Sequence, residues 1–271
     1  MVQGCGPVTT VRLIGRPVLN FAFVIAVTVA LWVLLLRLAD VSELVVRQPQ
    51  DVLDYLFSDP EAAENRAGVL GPLWQTLLDA GIGFVAGLTA ATVLATGMVL
   101  SKGIEAASMP VVMLVRTVPL VALAPIITLI FGNGFACVAV MSGIVVLFPA
   151  LVTIAFGLRS VTPQMRDVIH VYGGSSFDVL RRVAYPTALP SIFAAIRISV
   201  PGAITGALIA EYFTSTDSVG KAVNTSLALY RYDQLWSLVV VVTLASVVLY
   251  MLAQACESLV LARFGGDPGR A

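Results

Sequence analysis

The chain reads as an all-α membrane protein of six transmembrane helices, and three observations predict that class. Hydrophobic residues make up 58% of the 271 positions and charged ones 12%, with a mean hydropathy of +0.94, whereas soluble domains are about a quarter charged. Charge-free apolar stretches recur at close to the ~20 residues that one helical span consumes. The 14 prolines and 22 glycines, many inside apolar runs, are better tolerated in lipid, where neighbouring helices re-satisfy the freed backbone groups. Sixteen Lys+Arg balance sixteen Asp+Glu, so no basic field points to nucleic acid. The three cysteines form no disulfide framework or metal spacing, and a single histidine, His170, excludes a multi-histidine metal centre. Cys5 has no apolar stretch before it, which argues against lipidation.

The spans follow from the charge pattern. Pro17 to Leu36, flanked by Arg16 and Arg37, is the first. It is too long for a signal-peptide core and lacks a small-residue cleavage site, so it reads as retained. The second covers Ala80 to Ser101, begins near Leu73 and carries Asp79. Thr117 to Leu158 then holds 42 residues without a charge, or about 63 Å of helix, twice a bilayer core. The turn signal Gly132-Asn133-Gly134 divides it into span three, 108–131, and span four, 135–157. Span five runs from Pro190 to Phe213 and span six from Gln234 to Cys256. The organisation is an N-terminal tail (1–16), a transmembrane domain (17–262) and a C-terminal tail (263–271).

Lys and Arg in the loops set the orientation. Ten lie on the side of Arg12, Lys102, Arg159, Arg166, Arg181 and Arg182, five on the side of Arg37, Arg47, Arg66, Lys221 and Arg231, and Arg116 falls inside a span. The richer side faces the cytoplasm, with both termini. The first external loop carries seven acids between Asp40 and Glu64. Tyr212, Tyr230, Tyr232 and Trp236 form an aromatic belt at the outer ends of spans five and six.

A helical hairpin needs only a few connecting residues, yet a polar cytoplasmic segment, 159–189, separates spans four and five. It reads as two short helices. The first, 163–172, opens with Pro163 and stops at Gly173-Gly174, where a positive φ costs little. The second is capped by Ser175 or Ser176, with Asp178 in its first turn and Arg181 and Arg182 in its last, matching the helix dipole. Phe177, Leu180 and Ala184 share one apolar stripe, and Pro186 is expected to break the helix before Pro190 starts span five. His170 beside Asp167 reads as solvated loop packing rather than a pH sensor. From physics alone the segment has two readings: a helix lying on lipid headgroups, or a plug for another protein's groove.

Asp167-Val-Ile-His-Val-Tyr-Gly173, followed by Arg182-Val-Ala-Tyr-Pro186-Thr-Ala-Leu-Pro190, resembles the "EAA" loop of permease subunits of binding-protein-dependent ABC importers. Ile169 replaces the usual Ala and Tyr185 the usual Leu. Arg116-Thr-Val-Pro119, Pro125, Phe131-Gly132-Asn-Gly134, Ile196-Arg197 and Ala210-Glu211 with Gly220 are similar to positions of the sulfonate, taurine, nitrate and pyrimidine-precursor branch, although Asp79 stands where an Arg is common. The resemblance implies a type I importer fold and a partner list: a second permease subunit, identical or paralogous; two ATPase subunits; and an extracytoplasmic substrate-binding protein. It further implies that Asp167, Gly173, Gly174, Ser175, Ser176, Phe177, Asp178, Leu180, Arg181, Arg182 and Pro186 form the ATPase docking and coupling site, in a bacterial plasma membrane. The chain has no G-x-x-x-x-G-K-[ST] run, so no cofactor is expected on it, and ATP with Mg would belong to the partner ATPase.

Charges inside spans point to a translocation path or gate: Arg116, Glu211 and Asp79, together with the kinking Pro119 and Pro125. Arg116 lies fourteen residues beyond Lys102, about 20 Å along a continuous helix. It either attracts an anionic substrate or ties span three to a neighbour, with Glu211 and Asp79 as candidate partners, or to backbone carbonyls. Its presence in the family run among members of differing cargo favours the second. Gly83-x-x-x-Gly87 and Gly202-x-x-x-Gly206 permit close helix packing, within the bundle or between subunits. The competing functional classes are a self-sufficient secondary transporter or channel, which leaves the loop unexplained, and a membrane enzyme, which lacks clustered His/Asp/Glu in the spans.

Overall fold

A computed structural model describes residues 27–36, 38, 44–214 and 216–264. The 1–16 tail, the start of the first span and 265–271 lie outside these residues, as do the side chains of 115, 116, 263 and 264. Every regular element among the described residues is helical. In chain order they are α1 (Val27–Leu36), α2 (Pro49–Leu53), α3 (Ala62–Leu100), α4 (Lys102–Thr117), α5 (Leu120–Phe131), α6 (Phe135–Leu158), α7 (Pro163–Val171), α8 (Ser176–Val179), α9 (Tyr185–Glu211), α10 (Val219–Ala228) and α11 (Tyr232–Phe264). Four stretches are long and apolar enough to cross a membrane: Ala62–Leu100, Phe135–Leu158, Ser176–Glu211 and Tyr232–Ala262.

The core forms where α3, α6 and α9 meet, and small residues make that meeting possible. A methyl group added at Gly83 would sit 2.4 Å from Ser142 Cβ, and one at Gly87 would lie 2.5 Å from the Gly143 carbonyl oxygen. At Gly206 it would come within 2.8 Å of Ser142 Cα. Backbones this close gain dispersion contacts that lipid cannot supply. The fully buried Ser142 donates to the Ala203 carbonyl of α9 at 2.9 Å and lies 3.4 Å from the Ala80 carbonyl of α3. One hydroxyl thus links three helices. Met141, Val146, Leu151, Ile154 and Leu158 continue the buried face of α6. Gly83, Gly87 and Gly206 pack within the subunit; the alternative of an inter-subunit role is not needed to explain them.

Several boundaries differ from the sequence expectations. Span three is not one helix. α4 ends at Thr117 and α5 begins at Leu120, because Pro119 forces Val118 into an extended conformation, with φ −74° and ψ 126°. Span two begins eleven residues before Leu73, at Ala62, and passes through Pro72. Pro186 does not break its helix. The turn Leu180–Ala184 widens to a π-type ladder, in which the Tyr185 N–H donates to the Leu180 carbonyl. The hydrogen-bond pattern is already loosened there, so the helix passes Pro186 and Pro190 and runs unbroken from Ser176 to Glu211. The connection to span six, expected to be loop, contains α10.

Outside the core, two clasps tie distant segments together. Near Asp233 at the start of α11, Arg47 forms an ion pair with that carboxylate, Trp236 donates to the Val45 carbonyl at 3.0 Å, and Trp32 stacks on Trp236 at 5.5 Å. The Asp233 carboxylate holds the Arg47 guanidinium more firmly protonated than usual, chiefly through their hydrogen bond. Toward the other end, Arg197 of α9 pairs with Glu257 of α11 at 3.1 Å, with Tyr250's ring 5.9 Å away. A cation within a span is expected to find such a partner.

Candidate functional site

The segment joining α6 to α9 is built by local rules that the sequence states openly. Thr162 caps α7, its hydroxyl accepting from the Met165 N–H at 3.4 Å, and Pro163 takes the first helical position. α7 ends in a Schellman motif: Gly173 adopts φ +77°, its N–H donates to the His170 carbonyl at 2.9 Å, and the Gly174 N–H donates to the Ile169 carbonyl at 2.9 Å. Gly174 is required for a separate reason, since a Cβ there would lie 2.5 Å from Ile169 Cγ2. His170 completes the turn, with Nδ1 3.0 Å from the Gly174 carbonyl.

Ser175, not Ser176, caps α8. Its hydroxyl accepts from the Asp178 N–H at 3.3 Å, while the Asp178 carboxylate accepts from the Ser175 N–H at 2.9 Å. This reciprocal box satisfies donors that a four-residue helix would otherwise leave open. Arg182 lies 3.7 Å from Asp178 one turn on. The expected apolar stripe divides. Leu180 and Ala184 are buried against the bundle, whereas Phe177 points outward and is 60% exposed. Val171 and Tyr172, at 84% and 87%, extend the same outward apolar surface. Asp167 and the side chains of Arg181 and Arg182 are also exposed. Three apolar side chains held around a tight turn, among exposed charges, make a surface fit to dock on another protein.

The base of this segment is braced. Arg159, at the end of α6, pairs with Glu105 of α4 at 2.8 Å. Tyr185, at the start of α9, places its hydroxyl 2.7 Å from Thr96 Oγ1 of α3. Sequence reasoning identified Tyr185 only as a departure from the usual Leu; Thr96 carried no signal.

At the opposite end of the bundle, Glu211 is fully buried and Oε2 accepts from Thr76 Oγ1 at 2.8 Å and from the Gly220 N–H at 3.0 Å. The Thr76 hydroxyl in turn accepts from the Val219 N–H at 2.9 Å. One carboxylate therefore holds the first turn of α10 against α3 and α9, where free N–H groups favour an anion. Gly220 must be glycine, since a Cβ would lie 2.5 Å from Glu211 Cβ. Asp79, one turn from Thr76, accepts from Gln75 Nε2 at 2.8 Å. The expected pairing of Arg116 with Glu211 or Asp79 lies outside the described residues, because it depends on the Arg116 side chain. Pro125 lies inside α5, and Pro119 marks its start. The structure thus joins Glu211 and Asp79 into one region through Thr76 but does not bring Pro119 and Pro125 into it.

The described residues thus form a helical bundle with four stretches able to cross a membrane and a braced, exposed turn between α6 and α9. Residues 83–264 match the family described as binding-protein-dependent transport system inner membrane component. The chain belongs to that family and is a multi-pass permease subunit of an ABC importer. A Haemophilus influenzae protein named "Probable ABC transporter permease protein" is 27% identical over 231 residues, covering 84% of this chain and 90% of that one. A riboflavin transport system permease protein of Chloroflexus aurantiacus is 28% identical over 160 residues, 59% of this chain and 60% of its own length. Other matches, named for formylaminopyrimidine, aliphatic sulfonates and taurine, place the chain in the sulfonate- and nitrate-like branch. In fold, it resembles a solved amino acid ABC transporter at a TM-score of 0.57 and 17% identity, over 74% of this chain and 96% of that one.

Proposed function

We propose that this chain forms half of a translocation path through a bacterial plasma membrane, paired with a second permease subunit, and that its 163–186 segment seats a separate ATPase. The observation that carries this reading is the contrast within that segment. Phe177, Tyr172 and Val171 stand exposed on a turn fixed by Gly173, Gly174 and the Ser175 box, while Leu180 and Ala184 root the same helix in the bundle. Each subunit of an ATPase pair would receive one such foot. When ATP closes the pair, the feet move together, and because α8 runs without interruption into α9, the displacement reaches the membrane as a rigid-body lever. Asp167 would pair with a basic residue of the ATPase, and Arg181 and Arg182 with acidic ones.

Six spans with both termini cytoplasmic complete the reading. α1 would supply the first, and α4 with α5 the broken third. An extracytoplasmic binding protein would deliver cargo at the end marked by Glu211 and α10. The cargo class is a small organic or inorganic anion or a vitamin precursor, a reading supported by relatives named for nitrate, aliphatic sulfonates and formylaminopyrimidine. The chain itself would hold neither ATP nor Mg.

The test is affinity purification of the tagged chain from native membranes, with partners identified by mass spectrometry. A stoichiometric ATPase is expected with the unaltered chain and lost from Gly173→Val and Asp167→Arg variants that still fold. Recovery of the chain alone, or only with copies of itself, would contradict the proposal and favour a secondary carrier.

A further inference from the structure

We propose that Tyr185 is the positioning residue that makes the coupling foot and the membrane span move as one body, by pinning their junction to α3 through Thr96. This rests on the reading of the 163–186 segment as the ATPase seat. Three observations meet at this point. First, the junction between α8 and α9 is the π-type turn Leu180–Ala184, whose widened ladder ends in the Tyr185 N–H to Leu180 bond. A π turn inside a helix is a place where register can shift, so a displaced foot could be absorbed there instead of passed on. Second, Tyr185 is the first residue beyond that turn, and its hydroxyl reaches Thr96 at 2.7 Å across 89 residues of sequence.

Third, the bond needs both hydroxyls. The Thr96 hydroxyl also lies 2.7 Å from the Thr92 carbonyl, and with its proton placed there Tyr185 is the donor to Thr96. In either direction the bond requires a phenol at 185 and a hydroxyl at 96. Tyr185 and Thr96 are both half-buried, so water competes only partly for these groups. With Tyr185 anchored, the π turn is held by its own buried Leu180 and Ala184 and by the bond to α3. Motion of the foot then has to rotate α9 against α3. Without the anchor, the loosened turn is free to bend, and foot and span come apart.

The experiment uses the full permease–ATPase complex in lipid nanodiscs, with Cys5, Cys137 and Cys256 replaced by serine, and needs no cargo. Spin-label distances are read with and without ATP–Mg and vanadate at two pairs. Gln164→Cys with Leu100→Cys reports the foot, and Thr205→Cys with Leu78→Cys reports the outer half of the span. In the otherwise unaltered complex both pairs should shift. In Tyr185→Phe and in Thr96→Val, the foot pair should keep its shift and the span pair should lose it, and the double variant should be no worse than either single one. A span shift that persists in both variants would overturn the inference while leaving ATPase docking intact. A foot pair that fails to respond in the unaltered complex would instead overturn the docking reading, and the inference with it.

Discussion

At the scale of single residues, the buried polar groups divide the labour. Ser142 links three helices at the centre, Glu211 fastens α10 at one end, and Thr96 with Tyr185 fastens the α8–α9 junction at the other. Glu211 is the most exposed to test, because it serves two donors with one oxygen. Replacing it by Ala strands the Gly220 N–H and the Thr76 hydroxyl, at about 1–3 kcal/mol for an unsatisfied buried group. Gln keeps an acceptor for both. Thermal unfolding in detergent should therefore rank the unaltered chain and Glu211→Gln close together, with Glu211→Ala clearly lower. Equal loss in both variants would show that charge, not hydrogen bonding, is what the site requires. The sequence marked Glu211 as a charge in a span and, by resemblance, Gly220 along with it, but Thr76 is an ordinary threonine until the fold brings it there.

At the scale of elements, local chemistry was readable where it was self-contained. The cap at Ser175, the stop at Gly173-Gly174 and the Pro163 start all involve neighbours within a few positions, and these three features form as expected. Two predictions belong here. Gly173→Ala places a Cβ at φ +77°, a cost of about 1–2 kcal/mol, and Ser175→Ala removes a cap worth about 1 kcal/mol. Both should raise protease cleavage of the loop while leaving the bundle's melting temperature nearly unchanged. For the bundle, Gly83→Leu drives a side chain into Ser142, where even a Cβ is 2.4 Å away. Overpacking of this kind costs about 1–3 kcal/mol or more, and expression of folded protein should fall. The same variant at Gly71, where a Cβ meets nothing within 4 Å, should be tolerated. Elements whose ends depend on distant parts were misjudged. Pro186 looked like a stop, yet the π turn before it absorbs the missing N–H. Span three looked continuous, yet Pro119 divides it. Proline reports a perturbed ladder, but only the surrounding packing decides whether the helix bends, widens or ends.

At the scale of the whole molecule, composition fixed the class and the loop pattern fixed the family, because both are written in long stretches of sequence. The arrangement of α3, α6 and α9 was hinted at only by glycine spacing, since van der Waals fit between helices in lipid leaves little trace beyond small residues. What the architecture adds is a mechanical path. An exposed foot is continuous with α9, α9 is packed on α6 and tied to α11 by Arg197–Glu257, and its far end is bonded through Glu211 to α10. On the proposed reading, force applied at the exposed turn has one continuous helix, Ser176–Glu211, to follow. The central claim, that Phe177 and Tyr172 face an ATPase, is tested most directly by placing a photo-crosslinking amino acid at each of these positions and irradiating native membranes. The account predicts an adduct with an ATPase subunit from both positions, and none from Trp74, which is about as exposed as Phe177 but lies on α3. Crosslinks to lipid alone from Phe177 and Tyr172 would contradict it, and would mean that the loop rests on the membrane surface.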